Sequence, residues 1–435
     1  MSWIEQPVQE IFQHKDKTYN LSQLAIDEYY ITFNFNGSDK HELQFFTKLD
    51  ECYRCPYRLF TGFYATEKMN SQWPTRWRIL NANNSLICEL QPDVGEFGVY
   101  QLDIEQSSCR LHTLLEPVNI YLPILTVLFI LLGISLFGFI VHKVINRNKS
   151  KDDEEIEQVT KKPRVQSLDT FRGITIVVMI LANYGAGHYN FLEHATWNGL
   201  NVADLVFPWF MWIMGVCIPI SVKSALKRDE QLIFWNIFRR SCILFLLGLS
   251  LNTVRVLEQI RIFGVLQRFS VCYLFVATLN LIFTRKKYFQ LESKYFQDII
   301  TLVPQWMVVL IVLIIHTTCT FLVNAPDCPK GYLGPGGIHE DGMYENCTGG
   351  AAGYIDKQIL GLNHIYKYPT SKAIYGGVAF DPEGIFGTLT SIVQVFLGVQ
   401  AGTILLTYET HKARLIRWKM ELFLLTRTFG HCRLY

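Results

Sequence analysis

The chain has 435 residues, of which 50% are hydrophobic, 14% aromatic and only 18% charged, with a formal net charge of +2. Those values exclude a disordered chain and leave no basic footprint for DNA or RNA. Several apolar runs are too long for a soluble core, so the chain reads as an all-α polytopic membrane protein carrying a small β-rich N-terminal domain.

Residues 1–118 form that domain, predicted to be lumenal. Tyr29-Tyr30-Ile31-Thr32-Phe33-Asn34-Phe35 alternates, with Asn36-Gly37 as a turn. Trp77 to Leu80 and Phe97 to Tyr100 read as further strands of a small sandwich. Met1 to Asn20 carries Glu5, Glu10, Lys15 and Lys17 and no apolar core, so it does not read as a signal peptide. The expectation is a start site downstream of a lost signal, with the first span as a reverse signal anchor being the alternative.

A spanning helix needs about 20 mostly apolar residues. Asn119 to His142 satisfies this (first span 119–142), and residues 143–170 follow as a basic cytosolic linker. The core, 171–407, supplies Gly173 to Tyr184, Val202 to Val222, Leu232 to Leu251, Val265 to Thr284, Ile299 to Val323 and Ile385 to Leu406, for about seven spans in all. A large lumenal loop covers 324–384, and 408–435 is an atypical cytosolic tail. Lys and Arg collect after spans one, three, five and seven, at Lys143 to Arg164, Lys223 to Arg228, Arg285 to Lys287 and Lys412 to Lys419. That alternation makes every second loop cytosolic and the N-terminal domain lumenal.

Sequons at Asn20, Asn36, Asn83 and Asn346 all fall on the predicted lumenal side, whereas the one at Asn148 lies in the basic linker. Cys52, Cys55, Cys88, Cys109, Cys328 and Cys347 lie on that lumenal side too, where disulfides are expected. Cys52-Tyr53-Arg54-Cys55 also has the spacing of half a zinc site or a redox pair, but no second pair accompanies it. No metal is expected.

Four stretches carry candidate chemistry. Ser167-Leu168-Asp169-Thr170-Phe171-Arg172-Gly173 opens span two, with Asp169 as an N-cap and Arg172 reaching the headgroups as the plain structural reading. Next, Asn183 ends span two, His194 stands in a short loop beside Trp197, and Asp204 lies just inside span three. An Asp in that position faces a protein interior or a water-filled cavity, so Asn183, His194 and Asp204 are predicted to share one polar pocket. A histidine there takes a proton from an attacking group or carries a covalent intermediate; a loop His packed on Trp197, with Asp204 only capping, is the competing reading. Third, Arg239, Arg240 and Arg268 lie within apolar runs and call for an anionic partner, either a polyphosphorylated ligand or a structural carboxylate such as Asp169 or Glu258. Fourth, the Gly- and Pro-rich loop from Cys328 to Gly384 offers Tyr332 and Tyr354 as sugar platforms. There is no P-loop, G-x-S-x-G elbow or H-E-x-x-H helix.

In this order the stretches resemble the heparan-α-glucosaminide N-acetyltransferase family. The resemblance rests on S-L-D-T-F-R-G (167–173), N-Y-G-A-G (183–187), H-A-T-W-N-G-L-N-V-A-D-L-V-F-P-W-F (194–210), G-V-L-Q-R (264–268), Cys328 to Gly337, N-C-T-G-G-A-A-G-Y-I-D (346–356), D-P-E-G (381–384) and F-L-G-V-Q-A-G (396–402). It implies a lysosomal multi-pass membrane enzyme. Such an enzyme moves an acetyl group from cytosolic acetyl-CoA to the terminal glucosamine of heparan sulfate. It further implies His194 as the catalytic histidine, acting as nucleophile or base beside Asn183 and Asp204. Arg172, Arg240 and Arg268 are the candidates for the coenzyme phosphates.

Relatives of this family continue through further spans after F-L-G-V-Q-A-G, so the chain is expected to be truncated at its C-terminus. The alternatives are an inactive isoform that regulates a full-length enzyme, and a membrane transporter. Partners implied are heparan sulfate, acetyl-CoA and the bilayer, with a homodimer among the open arrangements and no nucleic acid.

Overall fold

The structure is a computed structural model that describes residues 11–15, 17–35, 43–61, 66–105, 108–119, 121–146, 165–184, 189–252, 257–285 and 297–419. The Asn36 sequon and its turn, Gly185 to Gly187, most of the basic linker with Asn148, and the 420–435 tail lie outside the described residues. The chain divides into two compact units, residues 1–50 with 57–170, and residues 51–56 with 171–435.

In the first unit a hairpin of β1 (Ile11–His14) and β2 (Lys17–Asn20) leads into β3 (Glu28–Phe35), β4 (Gln44–Leu49), β5 (Arg58–Leu59) and β6 (Thr66–Asn70). β7 (Thr75–Leu80), β8 (Leu86–Leu90), β9 (Val99–Ile104) and β10 (Cys109–Leu115) follow. They form two four-stranded sheets, β10-β9-β3-β6 and β5-β4-β7-β8, with β3 and β9 parallel. The alternation along β3 turns Tyr29, Ile31 and Phe33 toward Phe45, Trp77 and Leu102, a shared core that makes the sheets a sandwich. A disulfide from Cys88 to Cys109 ties a strand of one sheet to a strand of the other. The expected strand over Phe97–Tyr100 begins only at Val99. Phe97 has a φ of 57° and Gly98 N–H turns back to Gly95 O at 3.2 Å, so the first two residues belong to a turn. α1 (Tyr121–Asn146) closes this unit as an apolar, exposed helix.

α2 (Gln166–Asn183) runs into the second unit, which holds α3 (Val202–Ala225), α4 (Glu230–Leu251), α5 (Val265–Arg285) and α6 (Gln297–Leu322). α7 (Gly350–Leu360), α8 (Thr370–Tyr375) and α9 (Ile385–Thr407) complete it. Among the described residues six helices (α1, α3, α4, α5, α6 and α9) are long and apolar enough to cross a membrane. The seventh expected span, Gly173 to Tyr184, is part of α2, an 18-residue helix that spends its first two turns on Gln166, Ser167, Asp169 and Arg172 and falls short of that standard. Asp169 lies inside the first turn of α2 and is not its N-cap.

α3 and α9 approach until their backbones touch. A Cβ on Gly215 would stand 2.1 Å from Val395 O, and one on Gly398 2.3 Å from Trp212 O. Small residues at such a seam let dispersion act over the whole contact, which is the main attraction between helices in lipid. Polar pairs add to it: Trp306 Nε1 donates to Gln400 Oε1 at 3.0 Å, and the hydroxyls of Ser241 and Ser270 meet at 2.8 Å.

The loop after α6 is closed by a Cys328–Cys347 disulfide. Residues 51–56 belong to this unit, and Cys52 and Cys55 form a disulfide. Tyr53 N–H donates to Tyr375 Oη at 3.1 Å, and that hydroxyl donates to Glu51 O at 2.9 Å.

Candidate active site at one end of a helix-lined cavity

The chain from residue 189 to 201 joins α2 to α3 and carries His194. A 3-10 turn at Asn190–Leu192 starts it, and Trp197 pins it by donating Nε1–H to Leu333 O at 3.0 Å while its ring lies 5.5 Å from that of Phe380. Trp197 is therefore an anchor for the loop.

His194 Nδ1 lies 2.8 Å from Asp204 Oδ1. The other carboxylate oxygen accepts the backbone N–H of Ala195 at 3.1 Å and of Asn201 at 2.9 Å, so Asp204 also reaches back to the residue that precedes α3. Three donors on one carboxylate fix it as an acceptor, which puts the imidazole proton on Nδ1 and leaves the Nε2 lone pair available. The hydrogen bond to Asp204 holds the His194 pKa above the ordinary imidazole value, against the burial that pulls it down. The imidazole is 56% exposed, open enough to meet a ligand.

His194 lines one end of a cavity of about 660 Å³ between α2, α3, α4 and α5. Along α3 the wall is Ala203, Val206, Phe207, Phe210, Met214 and Ser221, a single face at helical spacing. On α2 it runs from Arg172 through Ile176 and Met179 to Asn183, about three turns away. Polar groups sit toward the ends: Asn183, His194 and Glu383 at one, Arg172 and Arg240 away from it, with apolar side chains between.

Arg240 lies over the Tyr273 ring at 5.3 Å, and among the described residues no carboxylate pairs with it. A second cavity of about 270 Å³ shares Ser221, Arg240 and Tyr273 with the first and adds Ser224, Arg228 and Asn236, a chamber lined by hydroxyl, amide and guanidinium donors.

Arg268 is placed elsewhere. It is buried, lies 5.5 Å from the Phe207 ring, and would collide with any Cβ on Gly387 at the start of α9. Its charge faces Glu383, Asp381 and Asp356, so it does not join Arg172 and Arg240 in the cavity wall. The reason is chain direction: α4 runs away from the arginine end and α5 begins where α4 finishes.

Beside it Arg261 forms an ion-pair network with Asp381 and Glu383. Its Nε donates to Asp381 Oδ2 at 2.9 Å and its Nη2 bonds both carboxylates. Glu383, Arg228 and Asn236 were not singled out from the sequence. Glu383 sits in D-P-E-G, a turn far along the chain that only the fold brings into the same cavity wall as His194.

Of the other expected site residues, Asn83 and Asn346 are exposed, and Asn20 is half-buried with its side-chain oxygen accepting from Ser22 N–H at 3.1 Å. Among the described residues no group of three His, Cys, Asp or Glu side chains gathers at a metal-sized site.

The fold and this site define a multi-pass α-helical membrane protein with a β-sandwich domain and an Asp–His pair at the end of an intramembrane cavity. No family model matches the chain. Over 441 residues it is 36% identical to heparan-alpha-glucosaminide N-acetyltransferase of Homo sapiens, covering 86% of this chain and 66% of that protein. The Mus musculus protein of the same name is 35% identical over 442 residues, covering 86% and 67%. The chain belongs to the heparan-alpha-glucosaminide N-acetyltransferase family, and it spans about two thirds of the length of the curated relatives it matches.

Proposed function

We propose that this chain passes an acetyl group from acetyl-CoA, a co-substrate presented from the cytosol, to the terminal glucosamine amine of heparan sulfate in the lysosomal lumen. The observation that carries this reading is one cavity whose wall includes both Arg240 and His194. A coenzyme too polar to cross a bilayer keeps its phosphates among Arg172, Arg240 and the adjoining polar chamber. Its uncharged arm lies along the apolar middle of the wall and brings the thioester to His194.

In this reading Nε2 of His194 is the working atom. It either takes the acetyl group or takes the amine proton during direct attack, and both roles need the Nδ1–H tautomer that Asp204 favours. The Asn183 side-chain amide donates to the carbonyl oxygen as charge builds on it. An imidazole pKa held above the ordinary value works against a base in an acidic lumen, and the pairing is useful because it fixes orientation.

The test uses sealed membrane vesicles containing this chain, labelled acetyl-CoA outside and a glucosamine acceptor inside, with His194→Ala expressed to the same level. Label on the sugar that disappears with the substitution is the expected result. A correctly inserted chain that transfers none overturns the reading.

A further inference from the structure

Glu383 is a carboxylate in the cavity wall that the acetyl-transfer scheme has not used. It is the third residue of the D-P-E-G turn, where its own N–H donates to Asp381 Oδ1 at 3.1 Å and sets its backbone. Arg261 Nη2 bonds one oxygen, Oε2, and among the described residues Oε1 has no partner. Arg261 is answered by Asp381 as well, whose side chain is fully buried and bonds two guanidinium nitrogens. The charged groups around Glu383 are Arg261 and Asp381 beside it, Arg268 from α5, Asp356 from α7 and His194 at the same end of the cavity. Arg261 Nη2 is shared between Asp381 and Glu383, so Glu383 has no guanidinium to itself.

An acceptor amine in an acidic compartment arrives as an ammonium ion. Moving it into a wall lined by Phe207, Val206 and Met179 carries the penalty of any unpaired buried ion unless an anion meets it. Asp204 is already committed to three donors. Among the described residues that line the cavity, the one carboxylate is Glu383.

We propose that Glu383 holds the acceptor ammonium beside His194 and takes the first of its two transferable protons, which rests on the acetyl-transfer reading above. The step balances. The R–NH₃⁺ group gives one proton to the Glu383 carboxylate and exposes a nitrogen lone pair. The nitrogen attacks the acetyl carbonyl carbon, a C–N bond forms, and the bond from that carbon to sulfur (or to Nε2, where histidine carries the acetyl group) breaks. The second proton goes to Nε2, which in direct transfer hands it to the leaving thiolate. Glu383 then returns its proton to the lumen.

The experiment compares the wild-type chain with Glu383→Gln in the sealed-vesicle assay at several lumenal pH values. Two acceptors are used: glucosamine, charged under these conditions, and methoxyamine, an amine of low basicity that is mostly neutral above its own pKa. Glu383→Gln should raise the glucosamine KM about tenfold or more, the loss of one buried charge pairing of roughly 1.4 kcal/mol. It should leave the acetyl-CoA KM unchanged, transfer to methoxyamine at the wild-type rate, and move the rising limb of the glucosamine pH profile upward. Equal losses for both amines, or no change for either, overturn the proposal. Should the variant fail to insert, the wild type decides the matter. Glucose, which puts a hydroxyl where the ammonium stands, must inhibit about tenfold more weakly than glucosamine binds, and equal affinity overturns the role. A wild-type chain that acetylates nothing sinks the acetyl-transfer reading itself, whereas an active wild type with an unaffected variant removes only Glu383.

Discussion

Gly384 and Asp356 are locked together: a Cβ on Gly384 would stand 1.8 Å from Asp356 Oδ2. The carboxylate comes this close because it caps α9, accepting the Phe386 N–H at 3.0 Å and the Ile385 N–H beside it. Gly384→Ala should displace that cap and lower stability by about 1–2 kcal/mol, the worth of a helix N-cap. Thermal unfolding in detergent reads this directly, and Gly384→Ala should also cut transfer because Glu383 is its neighbour. An unchanged melting temperature would mean that the carboxylate does not hold the helix end.

Asp356 carries a pH signature. Burial, the largest influence, pushes its carboxyl up to about 6, with the charge of Asp381 adding to it. A folded-state pKa above the unfolded value gives stability that is fully present below about pH 4 and is lost as pH rises through the folded value. The wild type should therefore lose roughly 2–3 kcal/mol between pH 4 and pH 6 from this group. Asp356→Asn, which keeps an oxygen for Phe386 N–H, should flatten that slope, and parallel slopes for the two proteins would count against it.

Removing the imidazole should cost about 10²–10⁴ in transfer rate, the range for a general base, with the protein level unchanged in His194→Ala membranes. Asp204→Asn should also lower the rate, and it removes the group that holds the His194 pKa up, so the surviving activity should appear at lower pH than in the wild type. A profile that moves upward would contradict this assignment.

At the other end of the cavity, Arg240→Met should raise the acetyl-CoA KM about tenfold, the equivalent of roughly 1.4 kcal/mol, and leave the acceptor KM alone. A change in the acceptor KM alone would reverse the orientation proposed for the co-substrate.

The seam between α3 and α9 has no room for a side chain at Gly215 or Gly398. Gly398→Val should cost about 1–3 kcal/mol or more through forced separation of the helices, measured as earlier unfolding and as a lower yield of folded protein. Gly133 on α1, where a Cβ would meet nothing within 4 Å, is the control and should tolerate the same change.

Period-2 alternation from Tyr29 to Phe35 was enough to find β3, although the strand is buried on both faces from Tyr29 to Phe33, with Tyr30 packed among Tyr19, Leu21 and Val99. The nearness of His194 and Asp204 was legible too, since a short loop and a helix start leave the two side chains little room to part. Arg268 shows the limit of such reading. It was grouped with Arg172 and Arg240 by residue type, yet the same alternation of basic loops that set the sidedness places the start of span five at the end opposite the basic side. Glu383 was invisible for another reason: its turn lies far along the chain from His194, and nothing local in D-P-E-G signals which cavity it will face. Gly173 to Tyr184 was counted as a span on its apolarity, which alone does not reveal that α2 begins at Gln166 with two polar turns.

Asp204 both reaches back to the Asn201 N–H, ending the first turn of α3, and grips Nδ1 of His194. Insertion and poise are thereby a single event. An α3 seated one turn out of place would leave the imidazole with no set tautomer. The first turn of one helix thus serves as a checkpoint on assembly, and variants there should lose abundance and turnover together.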